Sequence, residues 1–300
     1  MIQKLLHNLF DFEREETAGE ILFYRFFELV IVYWTIKYAW QWGPYLDRLR
    51  DIVLPLGIAE YVDVTFMFEP PLGIINAVLI TVLVLVGFFR LWRYAYLATV
   101  LCFHLHYTAR YSQGEISHGS NFVGTAVFAM ALATLVFQHR REIRRAALGL
   151  GYFFFGLGYT SAALSKLGGT GLNWPDGRHL WMWIQERTID QFSLTGSVDY
   201  NWLQELALDH HLIATAILTF GLLTEFFAFL FWFKRTRPLA GTLLVGMHFG
   251  IWMSMKLTFS ANTYLLFILA YPLAHLIDRG LRRLDDVRFD KIQKLSMRLT

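Results

Sequence analysis

Long apolar stretches that are almost free of charge constrain the fold of this chain more than any other sequence feature. Several of them run for about 20 residues, the length that crosses a hydrocarbon core about 30 Å thick as a helix. Only 17% of the 300 residues are charged, whereas soluble domains have about 25%. The sequence therefore predicts an all-α protein, a polytopic integral membrane bundle.

Eight such stretches predict eight transmembrane helices. They cover approximately Ile21–Gln41, Leu72–Phe89, Tyr94–Ala109, Asn121–Phe137, Ala146–Leu167, Leu212–Phe233, Leu239–Lys256 and Phe259–Ile277. The stretches lie along the whole chain, without an internal repeat or a separate soluble domain, so we interpret residues 1–300 as a single membrane domain.

The basic residues of the connecting loops predict the orientation of these spans. With eight spans, the dense basic groups at 90–93, 140–145, 234–237 and 279–298 all fall on one side. Positive residues concentrate in cytoplasmic loops, so we expect both termini in the cytoplasm. This distribution also explains the net charge of +3 by topology and by contact with the lipid bilayer, without a nucleic acid partner.

Four segments outside the spans have amphipathic or basic character. Pro44–Pro71 and Leu172–His211 mix apolar and polar residues and predict interfacial helices that form an extracytoplasmic cap. Residues 1–20 are an amphipathic cytoplasmic segment that lacks the features of a removable signal peptide. The tail at 278–300 is basic and predicts an anchor to the membrane leaflet.

Charged and titratable residues within the spans are expected to face the bundle interior and to have partners. Arg25 and Glu28 lie three residues apart on one helical face, which predicts a structural ion pair. Glu225 and His248 lie on neighbouring spans and could form either a proton relay or a structural hydrogen bond. No pattern typical of a zinc site is present, and we expect no bound metal.

Lys166 and His118 have two open interpretations each. Lys166 ends the fifth span after a run of small residues; it is either an interfacial anchor or a desolvated base of lowered pKa. His118 lies in the sequence Ser117-His118-Gly119-Ser120-Asn121, where it is either a proton carrier or part of a helix cap.

Several of these residues occur in an order that resembles a known family, the horizontally transferred transmembrane (HTTM) domain. This domain is the membrane half of the vitamin K-dependent γ-glutamyl carboxylases, and the resemblance covers about residues 15–280. The residues that carry it are Phe23-Tyr24-Arg25-Phe26-Phe27, the stretch from Ser117 to Asn121, Ala163-Leu164-Ser165-Lys166-Leu167 with Trp174 and Gly177, Glu225, the loop from Lys234 to Arg237, and His248.

The resemblance implies a quinol-dependent membrane enzyme. By this resemblance Lys166 aligns with the lysine that is the family's catalytic base, and His248 aligns with a histidine of the family's active site. By the same analogy His118 would assist proton transfer, and Tyr159, Trp174, Asn121 and Glu225 would bind the cofactor. That cofactor would be a reduced quinone, either vitamin K hydroquinone or a menaquinol-like molecule.

The sequence also departs from the carboxylases. It inserts glycines between Lys166 and Trp174, and it ends about where their large luminal domain begins. Two other functions therefore stay open. The first is a non-redox accessory or maturation factor that binds a secreted peptide, a toxin of the sporulation-delaying type or a soluble protein. The second is a transporter or lipid-binding protein that uses the buried charges.

Overall fold

The computed structural model describes residues 2–46, 48, 54, 57–112 and 118–284. Within these ranges the chain consists of helices and connecting segments, without a strand, so the all-α prediction is confirmed. The α-helices are α1 Ile2–Leu9, α2 Ala18–Leu46, α3 Leu72–Phe88, α4 Ala95–Tyr111, α5 Asn121–Val136, α6 Arg140–Thr170, α7 Gly177–Thr195, α8 Trp202–Asp209, α9 His211–Phe226, α10 Arg237–Met255, α11 Ser260–Ala270 and α12 Leu273–Leu284. Short 3₁₀ helices cover Gly57–Glu60, Thr65–Phe68, His118–Ser120, Gly171–Asn173 and Phe227–Trp232.

Three helices of the described chain are long and apolar enough to cross a membrane. They are Arg140–Asn173, His211–Trp232 and Arg237–Met255, and a fourth span results if α11 and α12 together form one. Two further apolar helices, Leu72–Phe88 and Asn121–Val136, are shorter. All eight predicted spans coincide with helices, but the number that crosses a membrane stays a prediction.

Several predicted helix boundaries differ from the structure, and two of the differences concern the eighth and fifth spans. The eighth predicted span is not one helix, because α11 ends at Ala270 and α12 begins at Leu273. Pro272 lies in the break; it has no backbone N–H and disfavours helical geometry for the residue before it. The fifth span also does not end at Lys166, because α6 continues through Gly168 and Gly169 to Thr170.

The two predicted cap segments form different structures. Leu172–His211 contains the helices α7 and α8, in line with its amphipathic pattern. In Pro44–Pro71, α2 extends to Leu46, and the described remainder contains only two short 3₁₀ helices. Leu49, Val53 and Leu56, whose spacing suggested an amphipathic helix, lie outside the described residues, as does the basic tail after residue 284.

The chain forms two compact units. The first comprises the described parts of residues 1–9, 117–122 and 149–271, and the second those of 10–116, 123–148 and 272–300.

In the second unit, α2 packs along α3 and α4 through large buried aromatic side chains and close backbone contacts. Trp42, Tyr24 and Tyr96 are almost fully buried. Gly43 permits the contact with α3, because a Cβ atom there would lie 2.7 Å from the Gly73 carbonyl oxygen. Asp278 accepts hydrogen bonds from Thr17 Oγ1 (2.6 Å) and from the Gly19 backbone N–H (2.7 Å), which satisfies a free donor at the start of α2.

In the first unit, α10 is packed against α11 through small residues. Gly241 on α10 lies against Ala270 on α11, and a Cβ atom at Gly241 would overlap that of Ala270. Phe231, which is fully buried, borders the same position. This contact leaves no room for a larger side chain on α10, and close packing of small residues is typical of helices that associate in membranes.

We predict that Gly241→Val lowers the free energy of unfolding by about 1–3 kcal/mol, because overpacking must push α10 away from α11. The measurement is an unfolding titration in detergent micelles. Gly250→Val on the same helix is the matched control, since no atom lies within 4 Å of a Cβ atom at that position. Equal losses for both variants would mean that helix propensity, and not packing, explains the effect.

Candidate functional site

The clearest candidate site in the first unit is built around Lys166. The Lys166 ammonium on α6 forms an ion pair with the Glu225 carboxylate on α9. It also lies over the Trp174 ring, with Nζ 4.6 Å from the ring centroid. The side chain of Lys166 is 29% exposed and that of Glu225 is 10% exposed, so the lysine is the more exposed partner of the pair.

A second polar pair lies on the same face of α6. Tyr159 precedes Lys166 by seven residues, which is two helical turns, and its hydroxyl lies 2.5 Å from His248 Nε2 on α10. Both side chains are buried. The other ring nitrogen, His248 Nδ1, is also buried and has no hydrogen-bond partner in the part of the chain that the structure describes.

The two pairs are close enough to influence each other electrostatically. The Lys166 charge acts on the His248 ring, and the Glu225 charge acts on Tyr159. We therefore treat Lys166, Glu225, Tyr159, His248 and Trp174 as one group, the Lys166 cluster. Glu225 and His248, which the sequence suggested as each other's partners, instead bind Lys166 and Tyr159 respectively.

Trp174 lies in the turn that follows α6, and residues of α7 hold it in place. Gly171 has a φ of +64°, a left-handed conformation that glycine adopts without strain, and this lets the chain reverse after α6. The Trp174 carbonyl accepts a hydrogen bond from His179 Nδ1 (2.8 Å), and its ring packs against Trp183. Trp174 is thus fixed by α7 rather than by the helix that carries Lys166.

Asp176 determines where α7 begins. Its side chain accepts a hydrogen bond from the Arg178 backbone N–H and so caps the helix. Its other partners are the Arg178 guanidinium and the His211 ring on α9. Hydrogen bonds from Arg178, and then from His211, hold the pKa of Asp176 well below its usual range, so the cap is charged at neutral pH.

Aromatic rings line the buried side of the cluster. The Phe122 ring lies 4.8 Å from the Tyr159 ring, and the Phe259 ring lies 5.2 Å from the His248 ring, between centroids. Asn121, predicted to bind a cofactor, is exposed at the start of α5 and makes no described contact with the Lys166 cluster. His118 begins a short 3₁₀ helix, but its side chain lies outside the described residues.

The second unit contains a different buried network, which includes Arg25 and Glu28. Arg25 Nη1 lies 2.5 Å from Glu28 Oε2, and the Glu28 side chain is completely buried. Arg90 (2.7 Å) and the Tyr96 hydroxyl (2.6 Å) bind the other oxygen, Oε1. The sequence suggested Arg25 as the partner but gave no signal for Arg90 or Tyr96, because Arg90 lies in a loop and Tyr96 resembles an ordinary apolar residue.

Comparison with family models, curated proteins and solved structures gives no match for this chain. The membership in the HTTM family stays a prediction, and the functional argument depends on the residues and their geometry.

We predict that Lys166→Met lowers the free energy of unfolding by about 1–3 kcal/mol, because it leaves the buried Glu225 without its partner. Glu225→Leu added to Lys166→Met should restore part of the loss, since the double variant has no buried charge left. The measurement is a double-mutant cycle of unfolding titrations in detergent.

Lys37→Met is the matched control, because Lys37 also lies over a tryptophan ring, with Nζ 4.4 Å from the Trp34 centroid. If the effects of the two substitutions at 166 and 225 are simply additive, the ion pair makes no measurable contribution.

Proposed function

We propose that this chain is a multi-pass membrane enzyme of the HTTM type, in which the Lys166 cluster carries out quinol-dependent proton chemistry similar to that of the vitamin K-dependent carboxylases. We further propose eight spans, cytoplasmic termini and a location in a bacterial inner or cell membrane. The apolar helices and the arrangement of the basic loops support this placement. The main support for the chemistry is the convergence of two proton-carrying pairs from three helices, Lys166–Glu225 and Tyr159–His248.

The Lys166–Glu225 pair can hold a proton in two ways. In the ion pair the proton is on Lys166 Nζ; its transfer to the Glu225 carboxylate gives an amine beside a carboxylic acid. Charged pairs in a poorly hydrated site are costly, which makes the neutral pair an accessible form. The amine of the neutral pair then has a lone pair and accepts a proton at Nζ.

The residues around Lys166 fit a bound aromatic alcohol. His248 Nδ1 is a buried polar atom without a partner among the described residues, so it is available to a hydroxyl or carbonyl oxygen. The rings of Trp174, Phe122 and Phe259 supply aromatic surface beside Lys166, Tyr159 and His248 respectively. A reduced quinone, when bound, supplies the electrons and the acidic hydroxyl group for this chemistry.

We predict that the purified protein consumes oxygen when it is given menadiol, and that Lys166→Met reduces the rate above the uncatalysed background at least tenfold. The reason is that this substitution removes the atom that accepts the proton and keeps an unbranched side chain of similar size. The measurement uses an oxygen electrode, with the protein in lipid nanodiscs and Lys37→Met as the matched control. Turnover that survives Lys166→Met unchanged would disprove the assignment.

A second candidate function is an accessory or maturation factor, and the exposed surface of α7 favours it. This helix exposes Trp181, Met182, Ile189, Phe192 and Leu194, each by 48–85% of its surface. Exposed apolar residues at this density are typical of a protein-binding or membrane-contacting surface.

For this candidate we predict that a photoreactive amino acid at position 189 crosslinks to a secreted peptide in intact cells. The crosslink should persist in Lys166→Met, because the peptide is bound by α7 and not by the Lys166 cluster. The products are separated by gel electrophoresis and identified by mass spectrometry, with the same photoreactive residue at the buried position 184 as the control. Crosslinks to lipid alone would show that α7 contacts the membrane and not a peptide.

A further inference from the structure

The second unit contains a large pocket, and no residue of the Lys166 cluster lines it. It has a volume of about 840 Å³, within the range of pockets that hold small organic ligands. Five arginines line it: Arg25, Arg90, Arg93, Arg140 and Arg144. Among the described residues no acidic side chain lines this pocket. We refer to it as the arginine pocket.

The carboxylates that contact these arginines do not balance their charge. Glu28 binds Arg25 and Arg90, and Glu16 binds Arg144. Five guanidinium charges minus these two carboxylate charges leave an excess of three positive charges around the pocket.

Two of the arginines show how that excess arises. Arg93 donates hydrogen bonds to two backbone carbonyls, those of Thr134 and Leu135, both at 2.9 Å. These carbonyls orient its guanidinium group but carry no charge. Arg140 is exposed at the start of α6. Because a guanidinium has five N–H donors, the group can bind an anion while it keeps other contacts.

The rest of the pocket wall is apolar. Phe88, Phe89, Trp92, Phe137 and Ile143 line it together with the arginines. Phe89 and Trp92 are also exposed, by 62% and 48% of their surface. An inorganic anion would gain nothing from these side chains, whereas the acyl chain of a lipid would be removed from water by them.

We propose that the arginine pocket binds the phosphate headgroup of an anionic lipid. The guanidinium groups recognise the phosphate through charge-assisted hydrogen bonds, and the aromatic side chains contact the first part of the acyl chains. A lipid with a net negative charge is preferred over a zwitterionic one, because the excess positive charge repels a headgroup cation. This inference assumes the proposed membrane location of the chain, but it is independent of the chemistry at Lys166.

The proposed topology places this pocket at the cytoplasmic leaflet, because Arg90 and Arg93 lie in the loop after α3 and the arginines at 140 and 144 lie in the first two turns of α6. Anionic lipids of that leaflet attract basic residues near its surface. A specific pocket differs from such general attraction in one respect that can be measured. It depends on the arginines that line it and not on neighbouring arginines of equal charge.

The test titrates the purified full-length protein in detergent with dioctanoyl phosphatidylglycerol, dioctanoyl phosphatidylcholine or inorganic phosphate, and detects binding by calorimetry. We expect phosphatidylglycerol to bind at least tenfold more tightly than either of the other two. Arg140→Gln should weaken its binding by about three- to tenfold, the effect of losing one charge-assisted contact. Arg141→Gln is the matched control, since Arg141 is exposed on the same helix but does not line the pocket.

A photoactivatable phosphatidylglycerol gives a second readout, which does not require a substitution. Its crosslinks should map to peptides that contain residues 87–93 and 137–144. Equal weakening by Arg140→Gln and Arg141→Gln would overturn the proposal, because it would show general attraction. Phosphate binding as tight as lipid binding would overturn the choice of a lipid, and crosslinks outside these peptides would overturn the location.

Discussion

A carboxylate buried among apolar helices must have a partner, and much of this structure is organised by that requirement. Removing a carboxylate from water without compensation costs several kcal/mol, so helices that carry one have to pack where donors are available. Glu28 on α2 is bound by Arg25 on the same helix, Arg90 in the loop after α3 and Tyr96 on α4. Glu225 on α9 meets Lys166 on α6. Each carboxylate thereby joins helices of its own unit.

The two buried carboxylates have different surroundings, and this difference separates a structural role from a chemical one. Glu28 is completely enclosed, and its two oxygens are bound by two guanidinium groups and one hydroxyl. Glu225 has a single ion-pair partner, which is partly exposed and lies beside a tyrosine and a histidine. The ionic partners also differ in chemistry, because a guanidinium keeps its proton in proteins whereas a lysine ammonium can release one. This contrast is the reason for placing the chemistry at Lys166.

The basic residues serve more than one purpose in this interpretation. As a pattern along the sequence they predict the orientation of the spans, because their loops fall on one side. In the folded second unit, arginines from 90–93 and 140–144 line a single pocket together with Arg25. We therefore propose two roles for the loop arginines, one in orienting the spans and one in binding an anion. The position of Arg93, held by two backbone carbonyls, is a property of the fold and not of the charge pattern.

The sequence by itself determined where the helices lie, because long apolar stretches must form helices that satisfy their own backbone hydrogen bonds. It also placed Arg25 and Glu28 in contact, since a spacing of three residues puts them on one helical face. Only the tertiary structure decided that Lys166 binds Glu225, 59 residues away, and that Tyr159 binds His248, 89 residues away. Local periodicity contains no information about such pairs, because they depend on how helices distant in sequence pack. Hydropathy likewise did not predict the break between α11 and α12 at Pro272. Proline lacks the backbone N–H that a continuous helix needs, but the stretch around it stays apolar.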